Sequence, residues 1–311
     1  ATFARHKAAL FDWQYLENPA PSRAAPLLVG TVADAVVAAI GTMPVSLTLD
    51  GTNQAGAWLV DFYVRRDQRG RGLGMQLIEQ AALTAPVVLA FGISDMSDPL
   101  FETAGWPRDS SLETMFFHSA EVGLKGAGKN LVSRIRRFAG KRRDPCEGIE
   151  FRIDACGVAH ELDALWSRVA RQYGNAVRRD GTYLMWRYAH SPLNSYRWVT
   201  VRRGSEIAAL MVTRHHAIES VIADYVGPLD DAELLTAICE RATGDLASSG
   251  TRRVRCETTH PAIKQSLEST GYRRFRSGGR LRVHSSSAAA PLSPAGWFIM
   301  TGDSDNDFMP P

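Results

Sequence analysis

The stretch that decides the fold reads Leu59-Val60-Asp61-Phe62-Tyr63-Val64-Arg65-Arg66-Asp67-Gln68-Arg69-Gly70-Arg71-Gly72-Leu73-Gly74 and continues as Met75-Gln76-Leu77-Ile78-Glu79-Gln80-Ala81. An apolar, β-branched and aromatic segment is followed by charged residues and three alternate glycines, after which Leu73, Leu77 and Ala81 recur at helical spacing. The pattern predicts a strand over 56–64, a glycine turn and a helix over 71–84. Glycines let an anion approach the backbone closely, and the unpaired N–H groups of a first helical turn attract it. We therefore expect this turn to bind a phosphate or pyrophosphate.

The glycine spacing separates this turn from two other phosphate-binding motifs. It has neither the Gly-x-Gly-x-x-Gly of dinucleotide-binding folds nor the Gly-Lys-Ser/Thr of Walker loops. Arg69-x-x-Gly72-x-Gly74 directly after a strand resembles instead the pyrophosphate loop of the GNAT superfamily of N-acyltransferases. The resemblance implies that the loop amides bind the pyrophosphate of acetyl-CoA or another acyl-CoA, and that the preceding strand binds the pantetheine arm. The cofactor-binding residues that it implies are Phe62, Val64, Arg69, Gly70, Arg71, Gly72, Leu73 and Gly74.

Composition and charge narrow the class of protein. The chain has 311 residues, 45% of them hydrophobic, and a net charge of +3, which fits one large or two smaller domains and does not by itself indicate nucleic-acid binding. Its four cysteines include no Cys-x-x-Cys pair, so neither a zinc site nor a disulfide framework is predicted. No apolar run approaches the ~20 residues needed to cross a bilayer. We expect a cytoplasmic protein without a metal, with a small-molecule amine as acceptor and no nucleic-acid partner; the sequence leaves its oligomeric state open.

The second half of the chain repeats the order of the first. Trp186-Arg-Tyr188, with Pro192 beyond it, echoes Trp13-Gln-Tyr15 with Pro19, and a predicted strand pair follows each. A duplication with a period of about 170 residues is therefore predicted. The element order indicates an α+β fold of two tandem GNAT-like domains, each a mixed, mostly antiparallel central sheet flanked by helices. The predicted divisions are an acyl-CoA-binding domain at 1–122, a basic linker at 123–146, a degenerate second domain at 147–284, and a linker with a C-terminal tail at 285–311.

The two copies differ at the binding turn and at their openings. Gly227-Pro228 replaces the glycine series in the second copy, and Pro228 has no N–H to donate, so we expect no pyrophosphate there. A predicted strand at 149–153 opens the second copy and has no counterpart in the first. Because proteins seldom leave a long sheet edge open, we hypothesise that the apolar segment Trp297–Thr301 docks on the first domain, at that edge or over the cleft near it. A tail packed on its own domain is the alternative.

Amine acylation needs a base for the amine proton and an acid for the departing thiolate. Asp61, on the strand before the loop, is the candidate base, and an aspartate bonded to neighbouring backbone or to an arginine is the structural alternative. The GNAT resemblance implies a tyrosine acid in the helix after the fifth strand, where this sequence has Phe101. Water, Ser94 or direct release of the thiolate then has to serve. Asp61 and Ser94 are accordingly the predicted catalytic residues.

Three further features leave alternatives open. The lysines and arginines at 123–143 form either a solvated linker or a surface for an acidic glycan, a membrane or, as the weakest of the three, nucleic acid. Gly-Asp-x-Asp-x-Asp at 302–307 lacks the glycine and glutamate positions of a calcium loop; with Trp297 it resembles the tail of bacterial GNAT-like proteins linked to cell-surface polysaccharide synthesis. Aromatic residues at helical spacing are predicted to pack in the core or between domains, with a sugar-binding groove as the alternative: Trp13, Tyr15, Trp186 and Tyr188.

Together these features predict an acyl-CoA-dependent N-acyltransferase. It would move an acetyl or other acyl group from coenzyme A to a primary amine, such as an amino sugar or another small metabolite. A non-catalytic GNAT-fold scaffold is the first alternative, favoured by Phe101 and the degenerate second copy. An aminoacyl-tRNA-dependent transferase is the second, and the intact Gly70, Gly72 and Gly74 argue against it.

Overall fold

The computed structural model describes residues 8–20, 26–119, 149–153, 157–275, 280–286, 292–293, 295–305 and 307. The first half contains α1 (Asp12–Leu16, a π-helix), β1 (Leu27–Val32), β2 (Ala35–Leu49), β3 (Thr52–Val64), α2 (Leu73–Ala81), β4 (Val87–Phe91), α3 (Asp98–Thr103), β5 (Arg108–Asp109) and β6 (Glu113–His118). The second half contains β7 (Ile149–Ile153), α4 (Ala159–Val169), β8 (Asn175–Val177), α5 (Gly181–Leu184), α6 (Met185–Ala189, a π-helix), β9 (Tyr196–Arg203), β10 (Glu206–Arg214), β11 (Glu219–Val226), α7 (Ala232–Ser248), β12 (Arg253–Thr258), α8 (Pro261–Ser269), β13 (Arg273–Phe275), β14 (Leu281–Ser285) and β15 (Trp297–Phe298). The basic segment at 123–143 lies outside the described residues.

Two tight turns place β3, the strand of the deciding stretch, inside the first sheet. Ala33-Asp34 joins β1 to β2 and Asp50-Gly51 joins β2 to β3, and all four residues have positive φ. Two-residue turns with this left-handed backbone match the twist of antiparallel strands, and Asp-Gly is typical of them. β2 and β3 therefore pair along most of their length, and α2 packs its buried Leu77 on the sheet face beside them. The predicted strand, turn and helix are thereby confirmed.

The strands form two sheets, and each half of the chain contributes to the sheet of the other: the first sheet includes β8, β14 and β15 of the second half, and the second sheet includes β6 of the first half. The strand order is β15-β8-β2-β3-β4-β14-β5 in the first sheet, with β1 also paired to β2, and β13-β6-β12-β11-β10-β9-β7 in the second. β6, which the sequence order assigned to the first domain, pairs with β12 over six residues and buries Met115 and Phe117 in the second core. β14 pairs with β4 in the first sheet.

The exchange has a physical explanation in the duplication. β6 and β14 are equivalent strands of two similar sheets, so the apolar alternation of each fits either sheet. Asp109 redirects the chain just before β6, because its carboxylate accepts hydrogen bonds from the backbone N–H (2.5 Å) and the hydroxyl (2.6 Å) of Ser111. A continuous stretch of chain therefore does not correspond to one sheet, and the domain boundaries at 122 and 147 stay a prediction.

A pair of tryptophans marks the symmetry between the copies. The indoles of Trp13 on α1 and Trp186 on α6 stack with ring centroids 4.5 Å apart. Each indole Nε1–H donates to the backbone oxygen of the other tryptophan, at 3.0 Å in both directions. Reciprocal bonds of this kind are expected of a local twofold relation. For Trp13 and Trp186, the predicted packing in the core or between domains is therefore packing between the copies.

The C-terminal segment extends the first sheet. β15 pairs in parallel with β8, and β8 pairs with the end of β2. Trp297 and Ile299 are buried in the apolar cluster on one face of the first sheet. The tail therefore packs on both halves of the chain: Trp297 and Ile299 lie in the cluster of the first sheet, as the docking hypothesis expects, whereas Phe298 and Met300 lie in the second core, as the alternative expects. The tail lies outside β8 and not outside β1, where the missing opening strand would lie.

No helix among the residues that the structure describes is long and apolar enough to cross a membrane. Those residues also include no group of three or more histidine, cysteine or acidic side chains arranged to hold a metal ion.

Candidate active site

A cleft opens where β3 and β4 diverge. The two strands pair in parallel from Gly56 with Val87 to Leu59 with Ala90, and β3 then continues to Val64 without β4 beside it. The cleft holds about 370 Å³. Its lining comes from residues 59–63 of β3, from 90–94 at the end of β4, and from Ser97, Phe101 and Asp305.

A β-bulge lies at the mouth of this cleft. Gly41 of β2 pairs with Val60 and Ala39 pairs with Tyr63, so two residues of β3, Asp61 and Phe62, lie opposite one residue of β2. Asp61 has a φ of 52°, a left-handed conformation that aspartate tolerates better than most residues. Bulges bend and twist a strand, and this bulge accounts for the divergence of β3 from β4.

The glycine loop lies at the end of β3 and leads into α2. Gly70 and Gly72 have φ values of 77° and 81°, and a Cβ atom at either position would meet nothing within 4 Å, so the backbone conformation alone calls for glycine. At Gly74 the need is different, because a Cβ atom would lie 3.2 Å from Leu100 and 3.3 Å from Phe62. The first N–H groups of α2 have no acceptor inside the helix. The loop is therefore a cradle of backbone donors that is open to solvent.

The other predicted cofactor residues lie around this cradle, with one difference for Arg69. Its Nε donates to the backbone oxygen of Val64 at 3.0 Å, and its guanidinium lies 3.3 Å from the sulfur of Met96. Arg69 thus ties the loop to the end of β3. Arg71 is exposed and Leu73 is half-buried against the core under α2.

The predicted catalytic residues and Phe101 line the same cleft. The Ser94 hydroxyl lies 3.0 Å from that of Ser97 and accepts a hydrogen bond from the Ser97 backbone N–H at 3.2 Å. Phe101 is 2% exposed, and its ring packs edge-on against Phe62. The cleft wall therefore has no hydroxyl at that position. Tyr63, which the sequence analysis did not weigh, is an additional hydroxyl-bearing residue of the lining.

Sequence reasoning missed one acidic residue of the cleft. Asp305, from the C-terminal segment, lines the cavity together with Asp61. Burial raises the pKa of Asp305 to about 6, and the negative charge of Asp61 acts in the same direction. Nearby, burial also raises the pKa of Tyr15, and both carboxylates contribute. The Tyr15 hydroxyl is buried and has no hydrogen-bond partner among the described residues. The alternate aspartates of the tail were the feature of the sequence from which Asp305 could have been identified.

The chain is similar to known proteins in structure but not in sequence. No protein-family model and no curated protein sequence matches the chain. The crystal structure of a GCN5-related N-acetyltransferase from Anabaena variabilis ATCC 29413 is similar, with a TM-score of 0.60 at 11% identity, covering 90% of this chain and 66% of that one. The chain has a tandem GNAT-like fold.

Two further structures are similar to it. N-myristoyltransferase from Saccharomyces cerevisiae, solved with bound myristoyl-CoA and inhibitors, has a TM-score of 0.59 at 13% identity, over 88% of this chain and 70% of that one. A GCN5-related N-acetyltransferase from Kribbella flavida has a TM-score of 0.54 at 13% identity, over 92% and 65%. The chain thus spans about two thirds of the length of the proteins that it matches. Identities this low establish the GNAT-like fold alone, and the link to polysaccharide synthesis stays a prediction.

The second GNAT-like copy has an equivalent helix start, but a backbone donor of this helix start and another in the turn before it are occupied. The Asp231 carboxylate accepts from the Leu234 N–H at 3.0 Å at the start of α7. The Gly227 N–H donates to the Tyr173 hydroxyl at 2.9 Å. A carboxylate therefore occupies the helix start, where the dipole favours negative charge and where the first copy has open glycines.

The tail fills the second GNAT-like cleft. β11 and β12 pair in parallel only from Glu219 with Arg253 to Val221 with Arg255, and the tail lies between them where they diverge. Met300 pairs with Thr258 of β12. On the β11 side Gly302 is so close that a Cβ atom would lie 3.0 Å from the backbone oxygen of Ala223.

Proposed function

We propose that the chain transfers an acyl group from coenzyme A to a primary amine in the cleft between β3 and β4. The observation that carries this proposal is the joint position of two features at the end of one strand. The bulge at Asp61 opens the cleft, and the glycine loop at 70–74 offers its cradle at the far end of the same strand. An extended thioester with an anionic pyrophosphate matches a cleft joined to a cradle of donors.

Each part of the donor has a proposed partner. The N–H groups of the loop and the positive end of the α2 dipole suit the pyrophosphate. Phe62 and Val64 lie on the part of β3 that β4 leaves unpaired, so their backbone groups are the proposed contacts of the pantetheine arm. Arg71 is exposed next to the loop and suits a further phosphate oxygen.

Asp61 is the proposed general base. It lies at the cleft mouth, and a carboxylate there both attracts an ammonium ion and takes its proton. Primary amines are ammonium ions in neutral water, so a small amine such as an amino sugar is the proposed acceptor. Because Phe101 has no hydroxyl, we infer that the thiolate is protonated by water or by Ser94, or leaves as the free anion.

Thiol release from acetyl-CoA tests this function. Glucosamine, lysine and spermidine are offered as acceptors at pH 8, and glucose, which has a hydroxyl in place of the amine of glucosamine, serves as the control. The proposal predicts release above background with at least one amine and none with glucose. Absence of both thiol release and acetyl-CoA binding at millimolar concentration would contradict it and favour the scaffold alternative.

A further inference from the structure

Among the described residues of the C-terminal segment, Asp305 reaches the first cleft. Asp305 and Asp61 of β3 both line this cavity. We propose that Asp305 is a catalytic residue and that it forms, with Asp61, the carboxylate pair that takes the proton from the acceptor amine. This inference rests on the proposed function and adds a residue that only the folded chain brings to the site.

The residues on either side of Asp305 are anchored in the second half of the chain. Asp303 binds Arg179 at 2.6 Å, and Asp307 binds Arg187 at 2.5 Å. All four side chains are at most 1% exposed. Buried charges are stable in a protein only when they are paired, so these two ion pairs hold the segment at fixed points two residues before and two residues after Asp305.

Further contacts make each anchor part of a network. The Arg179 guanidinium also binds Asp224 at 2.8 Å and lies 4.7 Å above the ring of Phe298. The Asp307 carboxylate accepts from the Tyr196 hydroxyl at 2.5 Å. Side chains locked in this way position a neighbouring residue well enough for catalysis. The degenerate second copy therefore has a definite role, because its filled cleft holds the segment that carries Asp305.

The surroundings of Asp305 suit a base. The charged and titratable groups that act on it are Asp61 on β3, Tyr15 on α1, Asp307 in the same segment and Arg187 on α6. Burial and the two aspartates raise its pKa to about 6, and Arg187 opposes them. A carboxylate with a pKa near the working pH is a more effective base than an ordinary one. A pair of carboxylates also favours an ammonium acceptor over a neutral one.

The ammonium form of the acceptor gives one proton to the carboxylate pair and becomes a free amine. Its nitrogen lone pair forms the new C–N bond at the thioester carbonyl carbon while the C–S bond breaks, and the electron pair of that bond leaves on sulfur. The second proton lost from nitrogen protonates the thiolate, and the proton held by the pair passes to solvent.

Conservative variants of the full chain test the pair. Asp305→Asn and Asp61→Asn are each expected to lower kcat about 100-fold or more with the affinity for acetyl-CoA unchanged. The double variant should lose little beyond either single one, because residues that act as a unit are not additive. Asn also tolerates the left-handed backbone of Asp61, and Asp305→Glu should restore part of the activity. Asp34→Asn is the matched control, at an exposed turn with a φ of 63°.

The pH profile separates a catalytic role from a structural one. For the wild type, kcat/KM should rise with pH through about 6, the pKa of Asp305. Asp61→Asn removes a like charge, lowers the pKa of Asp305 and should move the residual rise to lower pH. Asp305→Asn turnover within threefold of the wild type would overturn the role of Asp305 alone. A wild-type chain that neither binds acetyl-CoA nor releases thiol would overturn the proposed function and, with it, this inference.

Discussion

The two clefts of this chain have a common origin in the sequence and opposite fates in the structure. In the first, β3 and β4 diverge around an open cavity, and Gly70 and Gly72 leave the start of α2 uncovered. In the second, the C-terminal segment lies between β11 and β12, and Asp231 covers the start of α7. Diverging parallel strands therefore leave an open cavity in the first copy, whereas in the second copy they form a groove that the C-terminal segment fills.

The second copy supports the site of the first through the tail that it binds. A duplicated cleft that has lost its glycines still has diverging strands, and their unpaired edges need partners. The tail supplies them; for example, the Glu257 N–H donates to the Thr301 hydroxyl at 2.8 Å. The same tail reaches the first cleft at Asp305, which is part of its lining. The tail that fills one cleft thus supplies a residue to the other.

Breaking the anchor of the tail has the largest expected effect. Arg179→Met removes the cation between Asp224 and Asp303 and leaves two buried carboxylates without it. Breaking a buried ion pair costs about 3–5 kcal/mol of unfolding free energy, to be measured by urea denaturation. Arg152→Met is the matched control, since its pair with Glu150 is exposed on both sides and its loss should change the stability little. Equal losses in the two variants would contradict the anchoring role.

The open cradle of the first cleft is tested by Gly72→Glu. The substitution puts a side chain and a negative charge at a φ of 81°, next to the proposed pyrophosphate site, and should weaken acetyl-CoA binding at least about 100-fold, or 2.7 kcal/mol. Gly51→Glu is the control, because Gly51 has the same φ and the same open space in the hairpin turn between β2 and β3. Calorimetry with acetyl-CoA should find wild-type affinity in the control. Equal affinity in both variants would mean that the loop is not the site.

A smaller effect is expected on the free energy of unfolding, which the raised pKa of Asp305 makes dependent on pH. Its pKa is raised to about 6, above the ordinary value of about 3.9, so its contribution to stability is fully present below pH 4 and is lost as pH rises through 6. Asp305→Asn removes this loss. We expect the variant to be more stable than the wild type by about 1–2 kcal/mol at pH 7.5, because partial exposure reduces the full effect of the shift, with a smaller gain at pH 5. A variant that is less stable at both pH values would contradict the raised pKa.

Local signals in the sequence predicted the parts of the site that are local in the chain. The strand, the glycine turn and the helix lie within one short stretch, and Gly70 and Gly72 have the conformations expected of them. The repeated Trp-x-Tyr likewise predicted a duplication, since Trp13 and Trp186 occupy equivalent positions. Such features depend on backbone preferences and spacing, which the sequence states directly.

The missed features depend on contacts between distant parts of the chain. β6 and β14 have patterns that fit either sheet, so only the assembled core decides where each one pairs. Asp305 and Asp61 come from opposite ends of the chain. Arg179 is a charged residue, and nothing in its local sequence predicts that two aspartates and the ring of Phe298 surround it in the core.

The number of acetyl-CoA molecules bound per chain tests the contrast between the clefts most directly. Isothermal titration of the full chain with acetyl-CoA should give one site, because the second cleft is filled by the tail and its helix start is covered by Asp231. The same titration of Gly72→Glu should show that this one site is lost. Two equivalent sites in the wild type, or one site that survives in Gly72→Glu, would contradict the account.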